Sequence, residues 1–125
     1  FGCGGDRDRD KRPRMASAAC ELADRVVVTS DNPRTESASG IIDRIMAGVP
    51  SSARSRVSTV VDRRGAIERA VEEAGPGDVV MIAGKGHEDY QVIGEERRPF
   101  DDRVEARACL RDRFGDGASM EGQRS

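Results

Sequence analysis

No apolar run in this chain approaches the ~18 residues that a membrane-crossing helix needs, and no segment has the layout of a secretory signal peptide. That argues against a membrane partner. One-signed charge is also missing: 21 lysines and arginines face 23 aspartates and glutamates, for a formal net charge of −2. A nucleic-acid-binding face would demand a basic excess. Even the densest basic stretch, DRDRDKRPR, interleaves three aspartates among its cations. Cysteine is scarce and scattered: Cys3, Cys20 and Cys109 are odd in number and form no C-x-x-C pair. They read as reduced thiols of a cytosolic protein, and with a single histidine they make a structural metal site a poor expectation.

What is present is a mixed chain of 125 residues, 35% charged and 36% apolar, sized for one domain with one core. It opens on FGCGGD, a glycine turn of the kind that follows a buried strand. The expectation is a domain over residues 1–115 whose N-terminal strand is truncated, cut from a longer polypeptide. Residues 116–125 lack an apolar pattern and are expected to form a flexible tail.

Helical and strand periods alternate along the domain. Pro13 suits a first helical position, and Met15, Ala18, Ala19 and Leu22 follow at helical spacing. RVVVTS predicts a strand buried on both faces. Ile41, Ile42, Ile45, Met46 and Val49 form a helical stripe that Gly48 and Pro50 terminate. RVSTVV predicts a second strand. Asp62 caps the next helix, whose apolar face is Ala66, Ile67, Ala70, Val71 and Ala74. DVVMIAG predicts a third buried strand, YQVIGEERRPF an extended pair around Gly94, and residues 101–114 a final helix. The expected fold is α/β, a Rossmann-like, mostly parallel sheet with helices on both faces.

Such sheets gather binding groups at the carboxyl ends of their strands, which here would bring three polar loops together. In GCGGDRD, glycines allow close backbone approach and Arg7 offers a planar fork for a carboxylate or phosphate. The loop is neither G-x-G-x-x-G nor a Walker A motif. In DNPR, Pro33 stiffens the loop and holds Asn32 extended. Asp31 and Asn32 supply acceptors for an ammonium, and Arg34 supplies a carboxylate clamp. That combination suits a zwitterion. GKGHED adds the carbonyls of Gly84 and Gly86, the cation Lys85, and Glu88, which could complete the ammonium cage. No nucleophile motif accompanies His87, so it reads as a hydrogen-bonding group, secondary with Lys85. Taken singly, GCGGDRD reads equally well as a turn carrying surface charge, and DNPR reads better as an Asx-type turn with Arg34 in a surface ion pair.

FGCGGDRDRDKRPRM, TSDNPRTE and GKGHEDYQ, in this order and at this spacing, resemble hallmark segments of the Mur ligases. The match is to the C-terminal domain of their diaminopimelate-adding members. The resemblance implies an ATP- and Mg2+-dependent ligase of cytoplasmic peptidoglycan synthesis, working through an acyl phosphate. It would join meso-diaminopimelate to a UDP-N-acetylmuramoyl dipeptide. It implies that DNPR (Asp31, Asn32, Pro33 and Arg34) recognises diaminopimelate, with further contacts from Arg7, Gly84 and Glu88, and no catalytic residue in this chain. It also implies that ATP, magnesium and the uridine nucleotide are held mainly by central and N-terminal domains lying outside these residues, so that this chain alone is inactive. Two alternatives stay open: a lysine-adding relative, which typically differs at the arginine of the motif, and a non-catalytic α/β metabolite-binding module.

Overall fold

Three consecutive β-branched residues between polar neighbours fold as a strand because each packs well on a pleated surface. They form β1 (Val26–Val28), which pairs in parallel with β2 (Val57–Thr59), Val26 opposite Val57 and Val28 opposite Thr59. The structure is a computed structural model that describes residues 1–5, 9–85 and 88–115. Around this pair lie helices α1 (Lys11–Leu22), α2 (Ala38–Met46), α3 (Arg63–Glu73) and α4 (Asp102–Phe114), with a 3-10 turn at Ser51–Arg56 leading into β2. A hairpin of β3 (Tyr90–Ile93) and β4 (Glu96–Pro99) precedes α4.

Phe1 extends the sheet beyond the other edge of β1. Its amine donates to Val27 O at 3.0 Å and its carbonyl accepts from Thr29 N at 2.8 Å. Bonding to the residues on either side of Val28 is the spacing of a parallel ladder.

Two apolar clusters hold the helices as pairs. Ala16 and Cys20 of α1, Ile41, Ile42 and Ile45 of α2, and Val26 and Val28 of β1 form the first. Ile67 and Val71 of α3 with Ala106 and Cys109 of α4 form the second. Ile45 and Val28 are completely buried, each contributing roughly 1.5–3 kcal/mol of transfer free energy. The starts of α2, α3 and α4 are capped by the side chains their sequences supply. Ser37 accepts from Gly40 N at 3.2 Å, Asp62 from Gly65 N at 3.0 Å, and Asp101 from Arg103 N at 2.9 Å.

Three expectations are corrected. The inward face of α1 is Arg12, Ala16 and Cys20, whereas Met15 and Leu22 face solvent. Arg12 can turn inward because its guanidinium is paired, as described below. Pro13 is the third residue of α1 and not its first. Residues 78–84 carry the apolar pattern of a buried strand but belong to no ladder, and Val79 and Met81 are 90% and 77% exposed. A strand buried on both faces needs hydrogen-bonded neighbours. The backbone beside Gly84 is that of Gly2, which supplies contact but no ladder, and only Ile82 of the run packs against the second cluster. The expected tail, residues 116–125, lies outside the described residues.

Candidate functional site

The loop leaving β1 runs Thr29, Ser30, Asp31, Asn32, and all four are buried despite being polar. Buried polar groups must find partners, and the partners here come from the other two loops and from β3. Gly5 N donates to Asn32 O at 2.7 Å, bringing the glycine-rich loop against DNPR. The approach is so close that a Cβ on Gly5 would lie 1.8 Å from Pro33 O. Arg12 fastens the same region from α1, with a bidentate pair to Glu36 at 3.2 and 2.8 Å and a bond to Gly4 O at 3.0 Å.

The third loop also closes on DNPR, with Gly84 passing beside Gly2. Lys85, only 3% exposed, places its ammonium 3.1 Å from Asp31 Oδ1, 3.1 Å from Asn32 Oδ1 and 2.6 Å from Tyr90 O. Asn32 Oδ1 also accepts from Val92 N at 2.9 Å. These contacts revise the roles read from the sequence. Lys85 is an internal counter-ion, and Asp31 is already paired with it. The Asn32 carbonyl is fully used, which leaves its amide as the group turned toward Glu88, with Nδ2 3.5 Å from Glu88 Oε1. Glu88 Oε2 accepts from Tyr90 Oη at 3.1 Å, and the Arg97 guanidinium stacks 3.8 Å from the Tyr90 ring centroid. Gly84 adopts φ of 117°, a conformation open to glycine, where it passes Gly2.

Arg34 is the one described non-glycine residue at positive φ, 55°. A left-handed backbone costs an arginine roughly 1–2 kcal/mol. Two backbone bonds hold it there: Arg34 N to Val92 O at 3.0 Å and Gly94 N to Arg34 O at 2.5 Å. The hairpin thus fixes the backbone of the loop's arginine. Its Nε is buried without a hydrogen-bond partner among the described residues, a donor in want of an acceptor.

The structure therefore brings Asp31, Asn32, Pro33, Arg34, Gly84, Lys85 and Glu88 to one sheet edge, while Arg7 and His87 lie outside the described residues. Sequence reasoning missed Gln91, which donates to Ser30 Oγ at 3.0 Å and Asp31 O at 2.6 Å, and the Arg63–Asp102 pair beneath the loops. A glutamine inside the short apolar strand YQVI was the available signal for the first. All three cysteines are buried free thiols. Burial pushes the Cys3 thiol above its ordinary range, with Arg12 opposing, and pushes the Cys109 thiol up likewise, with Arg64 opposing. Neither is an activated nucleophile.

Chemically, the Asn32 amide here meets the Glu88 carboxylate, and two residues on Arg34 contributes a guanidinium whose buried Nε lacks an acceptor among the described residues. Residues 1–86 match the family model described as "Mur ligase, glutamate ligase domain". The chain belongs to the Mur ligase family. Similar members include the UDP-N-acetylmuramoyl-L-alanyl-D-glutamate–2,6-diaminopimelate ligase of Thermosynechococcus vestitus, 59% identical over 91% of this chain and 22% of the relative. The enzyme of the same name from Synechococcus sp. strain WH7803 is 59% identical over 89% and 22%. A solved structure of a ligase with that name superposes with a TM-score of 0.84 at 49% identity, over 90% of this chain and 23% of the other. This Mur ligase chain thus spans less than a quarter of the length of those relatives.

Proposed function

We propose that residues 1–115 form the amino-acid-binding domain of an ATP-dependent Mur ligase. The ligase would add meso-diaminopimelate to UDP-N-acetylmuramoyl-L-alanyl-D-glutamate in cytoplasmic peptidoglycan synthesis. The observation that supports this reading is the Asn32 amide held against Glu88, two residues before an arginine whose backbone the hairpin fixes and whose buried Nε lacks an acceptor among the described residues. Arg34 and Asn32 Nδ2 donate to the distal carboxylate of the diamino acid, and Glu88 accepts from the adjacent ammonium. Arg7, Gly84 and the rigid Pro33 complete the contact set, and His87 is secondary. With that end anchored, the other amine is held toward the acyl donor, and orientation supplies the domain's share of the rate.

Lysine lacks the distal carboxylate. Binding it would leave the Arg34 guanidinium buried and unpaired, so the site selects by penalising the wrong ligand. ATP and magnesium supply the activation of the acyl group and belong, in this reading, to chain outside these residues. This chain alone is accordingly inactive as a ligase.

The test is steady-state kinetics of the full-length protein with meso-diaminopimelate and with lysine. Two charge-assisted bonds lost in Arg34→Ala correspond to about 3 kcal/mol, or roughly a 100-fold rise in the KM for diaminopimelate. Unchanged diaminopimelate kinetics in that variant, or wild-type preference for lysine, would sink the reading.

A further inference from the structure

Arg63, the first residue of α3, is 1% exposed, and its guanidinium makes four bonds to groups far apart in the chain. Nε donates to Asp102 Oδ1 at 2.8 Å and Nη2 to Asp102 Oδ2 at 2.7 Å. Nη1 donates to Ser30 O at 3.0 Å, and Nη2 also reaches Ala83 O at 3.3 Å. Ser30 immediately precedes Asp31, and Ala83 immediately precedes Gly84. One planar group therefore spans the two points from which the DNPR loop and the GKGHED loop depart, and Asp102 of α4 holds that group in plane.

We propose that Arg63 is a positioning residue that sets the spacing of the two amino-acid-binding loops, with Asp102 as its orienting partner. The inference rests on the diaminopimelate reading given above and adds a residue that touches no part of the ligand. Net stability is a poor explanation for such a pair, because a well-packed apolar pair often does as well in a buried position. What the guanidinium adds is direction: four of its five N–H groups are committed, each along a fixed line. The sheet does not supply this restraint, since residues 78–84 are joined to no strand ladder. Lys85, bridging Asp31, Asn32 and Tyr90 O, closes the upper part of the same gap. Arg63 closes the lower part.

The experiment uses Arg63→Lys and Asp102→Asn in the full-length protein, with Arg34→Ala alongside, each normalised to folded protein by circular dichroism. Lysine at 63 keeps the charge but cannot reach Asp102 and both carbonyls at once. A misplacement of the loops raises the KM for meso-diaminopimelate by about 10- to 100-fold, with the KM for ATP within about twofold of wild type. Asp102→Asn, which leaves Arg63 in place but loosens its plane, shifts the same KM in the same direction by a smaller factor. A purely structural role changes the folded fraction and leaves both KM values alone. Diaminopimelate KM values within about twofold of wild type in both folded variants would overturn the proposal. Failure of both variants to fold would assign the pair to the fold alone and overturn it too. If Arg34→Ala leaves the diaminopimelate KM unaltered, the site reading itself fails. If Arg34→Ala acts and Arg63→Lys does not, only the positioning role fails.

Discussion

Lys85→Met removes one ammonium from the interior and leaves three acceptors behind it. Asp31 Oδ1 and Asn32 Oδ1 each lose a partner at 3.1 Å, and Tyr90 O loses one at 2.6 Å. Asn32 Oδ1 keeps its bond from Val92 N, so the damage falls on Asp31 and Tyr90 O. Breaking a buried ion pair by deleting one member costs roughly 3–5 kcal/mol. The Asp31 side chain retains 11% exposure, which favours the lower end, about 3 kcal/mol. With urea slopes of about 1–3 kcal/mol per molar for small proteins, the unfolding midpoint falls by about 1–3 M. Equilibrium urea unfolding followed by far-UV circular dichroism reads this directly. Removing the stranded charge as well, in Asp31→Asn with Lys85→Met, should recover part of the loss, since the pair is coupled. A single-variant midpoint within about 0.5 M of wild type would refute the claim that Lys85 is an internal counter-ion. It would return Lys85 to the ligand-facing role read from the sequence.

Two further outcomes follow from the same geometry. Gly5→Ala places a methyl 1.8 Å from Pro33 O, against backbone that cannot swing away. Overpacking of this kind costs about 1–3 kcal/mol, and both thermal stability and diaminopimelate affinity should fall together. A Gly5→Ala protein with wild-type melting and affinity would remove the glycine loop from the site. Cys3, Cys20 and Cys109 should react with an alkylating probe only as fast as the chain opens, because all are buried and the Cys3 and Cys109 thiols are held above their ordinary range. Mass spectrometry showing rapid native-state labelling at any of them would contradict that.

Local signals carried the elements well where propensity and burial agreed. Val26–Val28, the Ile41–Ile45 stripe, the Asp62 cap and the Gly94 turn all sit where their chemistry predicts. Gly94 takes φ of 62° between strands that pair Ile93 with Glu96. Legibility failed where a charged side chain is buried. Arg12 and Arg63 read as surface residues by type, yet each is 1% exposed because a carboxylate meets it from a distant segment. That pairing has no local periodicity. It also rotates α1, so the apolar residues Met15 and Leu22 fall outside. Residues 78–84 failed for another reason: an apolar run specifies a strand only when a neighbour completes its ladder.

The three loops were readable as a convergence, but the division of labour among their groups was not. Acceptors can be counted in DNPR, whereas the fact that Lys85 and Val92 N already occupy Asn32 Oδ1 depends on partners more than fifty positions away. The backbone strain at Arg34 was likewise invisible, since the hairpin that imposes it lies on the far side of two helices in sequence.

The most direct measurement is a crystal structure of the full-length protein with meso-diaminopimelate bound. The account predicts the distal carboxylate within hydrogen-bond reach of the Arg34 guanidinium and Asn32 Nδ2, its ammonium against Glu88, and Lys85 still bound to Asp31. A ligand seated elsewhere, or one whose carboxylate leaves Arg34 unpaired, would contradict it.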